Sequence, residues 1–217
     1  MTQRAFSRST ASTALAIGLF MFGGCATTQP QTAWINLFDG HSLEGWSKTL
    51  FGGEGEIGIV DGAIDLQSGS PLTGVTLQTS PPSGNYELEV VASRVEGTDF
   101  FCGLTFPVGE SHLTLVLGGW GGSVCGFSSI DNADASRNLT RKLKGFTPGR
   151  DYKITVRVTK DEVLALLDDE PFVATKRAGV TFSLRPEVML CKPLGLASFS
   201  TIANVKSVRW HPLAASE

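Results

Sequence analysis

The chain has 217 residues, with 18 Lys+Arg against 21 Asp+Glu. That mild acidity, with both signs mixed along the chain, excludes a nucleic-acid binder, which needs a basic face. Its 25 Gly and 10 Pro punctuate short alternating runs with almost no helical periodicity, so the helical fold classes drop out as well.

Residues 1–24 read as an export signal: Arg4 and Arg8, a Ser/Thr/Ala stretch, then "LAIGLFMFGG". The apolar run is too short to span a bilayer. "FGGC" resembles the bacterial lipobox, in which Cys25 becomes the lipidated N-terminus, although Phe22 stands where Leu is usual. The alternative is an ordinary secreted protein cut near Ala26. Buried methylenes contribute ~0.8 kcal/mol each, so an acylated Cys25 anchors to a membrane without a spanning helix. Ala26 after the Cys, in place of Asp, resembles outer-membrane sorting, which puts the protein at the outer membrane or periplasmic face. Cys25 and the polar stretch after it, 25–33, form a tether, and 34–213 is expected to be one β-sandwich domain. Without Arg4 and Arg8, 16 Lys+Arg face 21 Asp+Glu, a net of −5.

"WINLFDGHSLEGW" opens the domain with a strand running into an Asp-Gly turn. "EIGIVDGAIDLQ" reads as a hairpin around Asp61-Gly62. "GVTLQTS" is followed by the break "PPSG". "NYELEVVASRV" alternates Tyr86, Leu88 and Val90 against Glu87 and Glu89. "FFCGLTFPV", "HLTLVLGG" and "SVCGFSSI" form a meander. "DYKITVRVTK" and "EVLALLDDEPFVATK" form a second, turning at Asp168-Asp169-Glu170. "VTFSLRPEVML", "LGLASFS" and "ANVKSVRW" read as three more strands. Some twelve short strands with Gly- and Pro-rich turns predict an all-β sandwich. The polar stretch 129–143 breaks the rhythm and crowds Asp131, Asn132, Asp134, Arg137 and Asn138; it is either a functional loop or a solvated excursion.

A turn at Gly109-Glu110 sets Leu117 opposite Cys102, Leu115 opposite Leu104 and Leu113 opposite Phe106. A turn at Gly121 sets Leu117 opposite Cys125 and Leu115 opposite Phe127. Alternation then collects Gly103, Thr105, Thr114, Val116, Gly126 and Ser128 on the other face, with His112 at its edge and Trp120 at the turn. Such a low floor admits either a second protein layer, with Gly permitting the approach, or a flat ligand. A sugar suits it, since Thr and Ser bond hydroxyls and a sugar's C–H face stacks on an indole such as Trp46 or Trp120. The same register places His112 opposite Ile130, beside Asp131. A His next to a carboxylate abstracts or donates protons. A divalent ion among His112, Asp131 and Asp134 is a candidate cofactor.

Cys102, Cys125 and Cys191 show no metal spacing. Cys102 and Cys125 lie two strands apart, about 9–10 Å, beyond disulfide reach. All three read as small core residues. The Glu-x-Asp-x-Glu strand motif of sandwich glucanases is absent, as are a serine nucleophile elbow, HExxH and a phosphate loop. "LDDEP" reads as a plain turn, and Glu87 and Glu89 as an outer face.

"WINLFDGHSLEGW" resembles the opening of a large family of exported bacterial proteins, and the likeness runs on through "YELEVVASR", "LGGWGGSVCGFSSID" and "PLGLASFSTIANVKSVRW". The family is named for its 3-keto-disaccharide hydrolase domain, and the likeness is to the branch common in planctomycete-type bacteria. The resemblance implies a concanavalin A-like lectin/glucanase jelly roll whose concave sheet binds a sugar. Some relatives cleave glycosides oxidised at C3, where the ketone acidifies the C2 proton and the aglycone leaves by elimination. That chemistry needs a base and a partner for an enediolate, often a metal. Here His112 is the expected base, with Asp131 assisting. Thr105, Thr114, Trp120, Ser128, Asn132, Arg137 and Asn138 are the expected substrate contacts. Three functions stay open: a hydrolase or lyase acting on 3-keto-glycosides, a non-catalytic carbohydrate-binding lipoprotein, and an envelope structural protein whose small-residue face merely packs.

Overall fold

A computed structural model describes residues 1–2, 33–81 and 83–214. The export signal, the Cys25 lipidation site and the tether lie outside the described residues, apart from Met1, Thr2 and Ala33.

Among the described residues fifteen strands follow in chain order: β1 Ile35–Asn36, β2 Trp46–Lys48, β3 Ile57–Val60, β4 Ala63–Leu66, β5 Leu72–Leu77, β6 Tyr86–Gly97, β7 Cys102–Val108, β8 Ser111–Gly118, β9 Val124–Ser128, β10 Lys142–Leu143, β11 Tyr152–Val158, β12 Glu162–Leu167, β13 Glu170–Lys176, β14 Gly195–Phe199 and β15 Thr201–Pro212. They make two antiparallel sheets, a jelly-roll sandwich. One runs β13-β12-β11-β6-β15-β4-β3 with β1 beside β15; the other runs β10-β9-β8-β7-β14-β5-β2.

The core lies between the sheets because alternation sends every second residue inward. Leu104, Phe106, Leu113, Leu115, Leu117 and Phe127 of the seven-stranded sheet meet Leu88, Val90, Ile154, Val156 and Trp210 of the other. Each is essentially inaccessible, and burial of side chains this size contributes about 1.5–3 kcal/mol apiece. The predicted meander register holds, with Cys102 opposite Leu117, Phe106 opposite Leu113 and Leu115 opposite Phe127. The three domain cysteines are free and buried. Burial pushes the thiols of Cys102 and Cys191 up to about 12 and that of Cys125 up to about 11.

Two expectations are corrected here. "VTFSLRPEVML" is not a strand. Only Phe182 keeps a bridge, to Ile130, and Pro186 then opens a 3-10 helix, Pro186–Cys191. Pro lacks the N–H a ladder needs and its fixed φ suits a first helical position. Trp46 is core rather than a stacking platform: it is 4% exposed and its indole N–H donates to the Leu37 carbonyl at 2.7 Å.

Candidate functional site

The outer face of the seven-stranded sheet is built of small residues, as its sequence predicts, but it is not an open trough. The 3-10 helix lies across it as a strap. Val188 and Cys191 pack on Leu72 and Ala197, flanked by Phe51, Phe100, Leu184 and Phe199. The strap and the Phe100 ring explain two of the small residues. A Cβ on Gly195 would sit 2.6 Å from the Cys191 carbonyl oxygen, and one on Gly103 would sit 2.8 Å from the Phe100 ring. Thr76 fastens the strap by donating to the Leu190 carbonyl at 3.1 Å. Thr105 is fully buried, its hydroxyl 2.8 Å from that of Thr114.

Beyond the strap the face stays hollow. A cavity of about 240 Å³ is floored by Thr114, Val116 and Ser128, walled by Leu72, Phe100, Val188 and Phe199, and rimmed by Asp99, Trp120, Arg185 and Glu187. Ser128 is 2% exposed and its hydroxyl has no hydrogen-bond partner. Trp120 stands at the rim, 42% exposed, in a turn that needs left-handed backbone at Gly118, Trp120, Gly121 and Gly122.

Arg94 holds that turn. It is 7% exposed, and its Nη2 donates to the carbonyls of Asp99, Gly118 and Gly122 at 2.9, 3.1 and 3.2 Å. Its guanidinium lies 5.7 Å from the Phe101 ring and 5.9 Å from the Phe146 ring. Asp99 completes the clamp, accepting from the Phe100 N–H at 2.8 Å and the Gly121 N–H at 3.1 Å.

A second, wider hollow adjoins the first and shares Arg185 and Glu187 with it; Ser129, Asn132, Asp134 and Ser183 supply its polar lining. Arg185 bridges the junction. Its Nη1 donates to Asp134 at 2.9 Å and its Nη2 to Glu187 at 2.6 Å. The Arg185 bonds and charge hold the Glu187 carboxyl below its ordinary range. For Asp134, burial acts in the opposite direction, but the Ser136 hydroxyl and N–H with the Arg185 charge outweigh it and the pKa is lowered. The Arg185 side chain is 40% exposed, so solvent screens these pairs to roughly 0–1 kcal/mol each. A ligand can exchange with them.

The structure divides the sequence candidates. Thr114, Trp120 and Ser128 meet in the first cavity and Asn132 lines the second. Asp131, Arg137 and Asn138 line a third, against Thr175 and Lys176. Asn138 is fully engaged there: its amide donates to the Phe127 and Ala133 carbonyls and its oxygen accepts from Thr140.

The expected His112–Asp131 pair does not form. Asp131 and Asn132 have positive φ and turn the chain back on itself, so Ile130 bonds to Ala133 and bridges Phe182 instead of facing His112. Asp131 accepts from the Thr181 N–H at 2.7 Å. His112 lines none of these cavities, and burial together with the Lys192 ammonium lowers its pKa. Among the described residues no three His, Cys, Asp or Glu side chains are grouped to hold a metal ion, so His112, Asp131 and Asp134 do not fit that role. The sequence reading missed Asp99, Phe100, Arg185 and Glu187. For the last two, the signal was Pro186 inside an apparent strand.

No family model matches the chain, and no curated protein is similar to it in sequence. Solved structures share its fold at low identity. Carbohydrate-binding module CBM66 from Bacillus subtilis is 12% identical with a TM-score of 0.55, over 77% of this chain and 96% of that one. A Crh5 transglycosylase in complex with NAG is 14% identical with a TM-score of 0.61, over 86% and 87%. SCLam, a non-specific endo-beta-1,3(4)-glucanase from family GH16, is 10% identical with a TM-score of 0.53, over 79% and 85%. The architecture is therefore that of the concanavalin A-like lectin and glucanase jelly rolls.

Proposed function

We propose that this protein binds a glycoside in the two-hollow groove and cleaves it at the junction, as a hydrolase or lyase acting on a C3-oxidised sugar. The observation that carries this reading is the Arg185–Glu187 pair, shared by both hollows beside the small-residue floor. The carbohydrate-bound and carbohydrate-cleaving proteins of the same fold support it.

The carboxylates narrow the chemistry. Ordinary glycoside hydrolysis needs one carboxylic acid kept protonated by a raised pKa. Glu187 and Asp134 are both shifted down. Elimination from a 3-keto-glycoside requires no such acid at the start. Glu187 takes the C2 proton and the electron pair moves into the C3 carbonyl, forming an enolate that Arg185 stabilises as an oxyanion partner. The pair returns to make the C1–C2 double bond as the C1–O bond breaks, and the leaving oxygen takes the proton from Glu187. Water then adds across that double bond to release the 3-keto sugar.

Turnover of 3-keto-glucosides against their unoxidised parents tests this. Glu187→Gln is expected to cut turnover by about 10²-fold or more while binding persists. Full activity in that variant overturns the assignment. Binding without turnover of any oxidised substrate by the wild type leaves the non-catalytic carbohydrate-binding lipoprotein as the function. We further propose anchoring through a lipidated Cys25 at the outer membrane or periplasmic face; Cys25→Ala should move the protein from the membrane to the soluble fraction.

A further inference from the structure

We infer that the apolar hollow takes the aglycone rather than the sugar, so that the substrates are glycosides of a flat aromatic aglycone. This rests on the groove assigned above and names what fills its apolar half. Six of the lining residues are apolar or aromatic: Leu72, Phe100, Val116, Trp120, Val188 and Phe199.

The polar groups there are few, and most already hold a protein partner. The Thr114 hydroxyl is bonded to Thr105, the Asp99 oxygens to backbone N–H groups, and Arg185 to Glu187. Among the buried side-chain atoms of this hollow, the Ser128 hydroxyl, 2% exposed, is without a partner. A sugar ring pushed into this space would set hydroxyls against Leu72, Phe100, Val188 and Phe199, and each hydroxyl left without a partner weakens affinity by roughly 5- to 150-fold.

An aromatic ring strands nothing. An apolar cavity of ~150 Å³ suffices for benzene, so about 240 Å³ holds a ring with one substituent. A hydroxyl on that ring would meet Ser128. The adjoining hollow, with Ser129, Asn132, Asp134 and Ser183, offers the hydrogen-bonding groups a sugar needs. The glycosidic bond then falls beside Arg185 and Glu187, the residues common to both.

The test is calorimetric titration of the wild-type protein with matched methyl, phenyl and 4-hydroxyphenyl glycosides of the same sugar, in 3-keto and unoxidised forms. The phenyl glycoside should bind at least about tenfold tighter than the methyl glycoside, and the 4-hydroxyphenyl glycoside tighter still. Ser128→Ala should remove the 4-hydroxyl advantage and keep the phenyl advantage, a pattern that a misfolded variant would not give. Equal affinity for methyl and phenyl glycosides overturns the aglycone assignment and leaves the groove intact. Binding of none of them overturns both.

Discussion

Replacing Arg94 with Met removes the cation under the Trp120 turn while keeping most of the side-chain volume. One nitrogen serves three carbonyls. Hydrogen bonds to a charged group contribute about 1.5–3 kcal/mol net, but three acceptors sharing one nitrogen at 2.9–3.2 Å cannot each count in full. The variant also strands buried carbonyls and loses contact with the Phe101 and Phe146 rings, worth ~0.5–2 kcal/mol. Against this, the Arg94 Nε is buried without a partner, and its removal returns about 1–3 kcal/mol. The expected net loss is about 2–4 kcal/mol. Urea denaturation reads it as a lower midpoint at unchanged slope. Trp120 should also become more accessible to a fluorescence quencher, and glycoside affinity should fall. A loss below about 0.5 kcal/mol with quenching unchanged would refute the clamp, because the turn would then hold itself.

Gly195→Ala pushes a methyl against the Cys191 carbonyl, so it should cost about 1–3 kcal/mol and displace the strap; stability and glycoside binding that both match wild type would contradict the packing. None of Cys102, Cys125 and Cys191 should react with a thiol reagent at neutral pH until the protein unfolds, since their pKa values of about 12, 11 and 12 keep them protonated; this is read by absorbance with and without denaturant. Glu187 and Asp134 have depressed folded-state pKa values, so the stability they contribute is present above the ordinary carboxylate range and is lost as pH falls through the lower, folded values. Loosening of the strap should therefore appear only in acid, and by no more than about 1 kcal/mol per pair given the solvent screening, measured as urea midpoint against pH and reduced in Arg185→Met, where the Ser136 bonds to Asp134 remain.

What the sequence makes legible follows from periodicity. Alternation in β7, β8 and β9 gives the inner stripe and its register without ambiguity, because a one-residue slip would send Leu113, Leu115 and Leu117 outward. The same alternation exposes the abnormal smallness of the opposite face. Its cause is not legible, since Phe100 over Gly103 and Cys191 over Gly195 are contacts between segments distant in the chain. The strap itself reads as a strand because Val188, Met189 and Leu190 form an apolar run, yet Met189 and Leu190 are half exposed. The His112–Asp131 pairing failed for a local reason. It extended the β8–β9 ladder by two residues, to Ile130, whose backbone is instead paired with Ala133 across the reversal at Asp131 and Asn132.

A crystal structure of the protein soaked with a phenyl glycoside addresses the groove most directly. The expected result is a ring over Val116 and Ser128 beside Trp120, with the sugar next to Asn132 and the glycosidic oxygen within reach of Arg185 and Glu187. Density instead against Arg137 and Lys176 in the third hollow, or a bare groove at saturating ligand, would contradict the account.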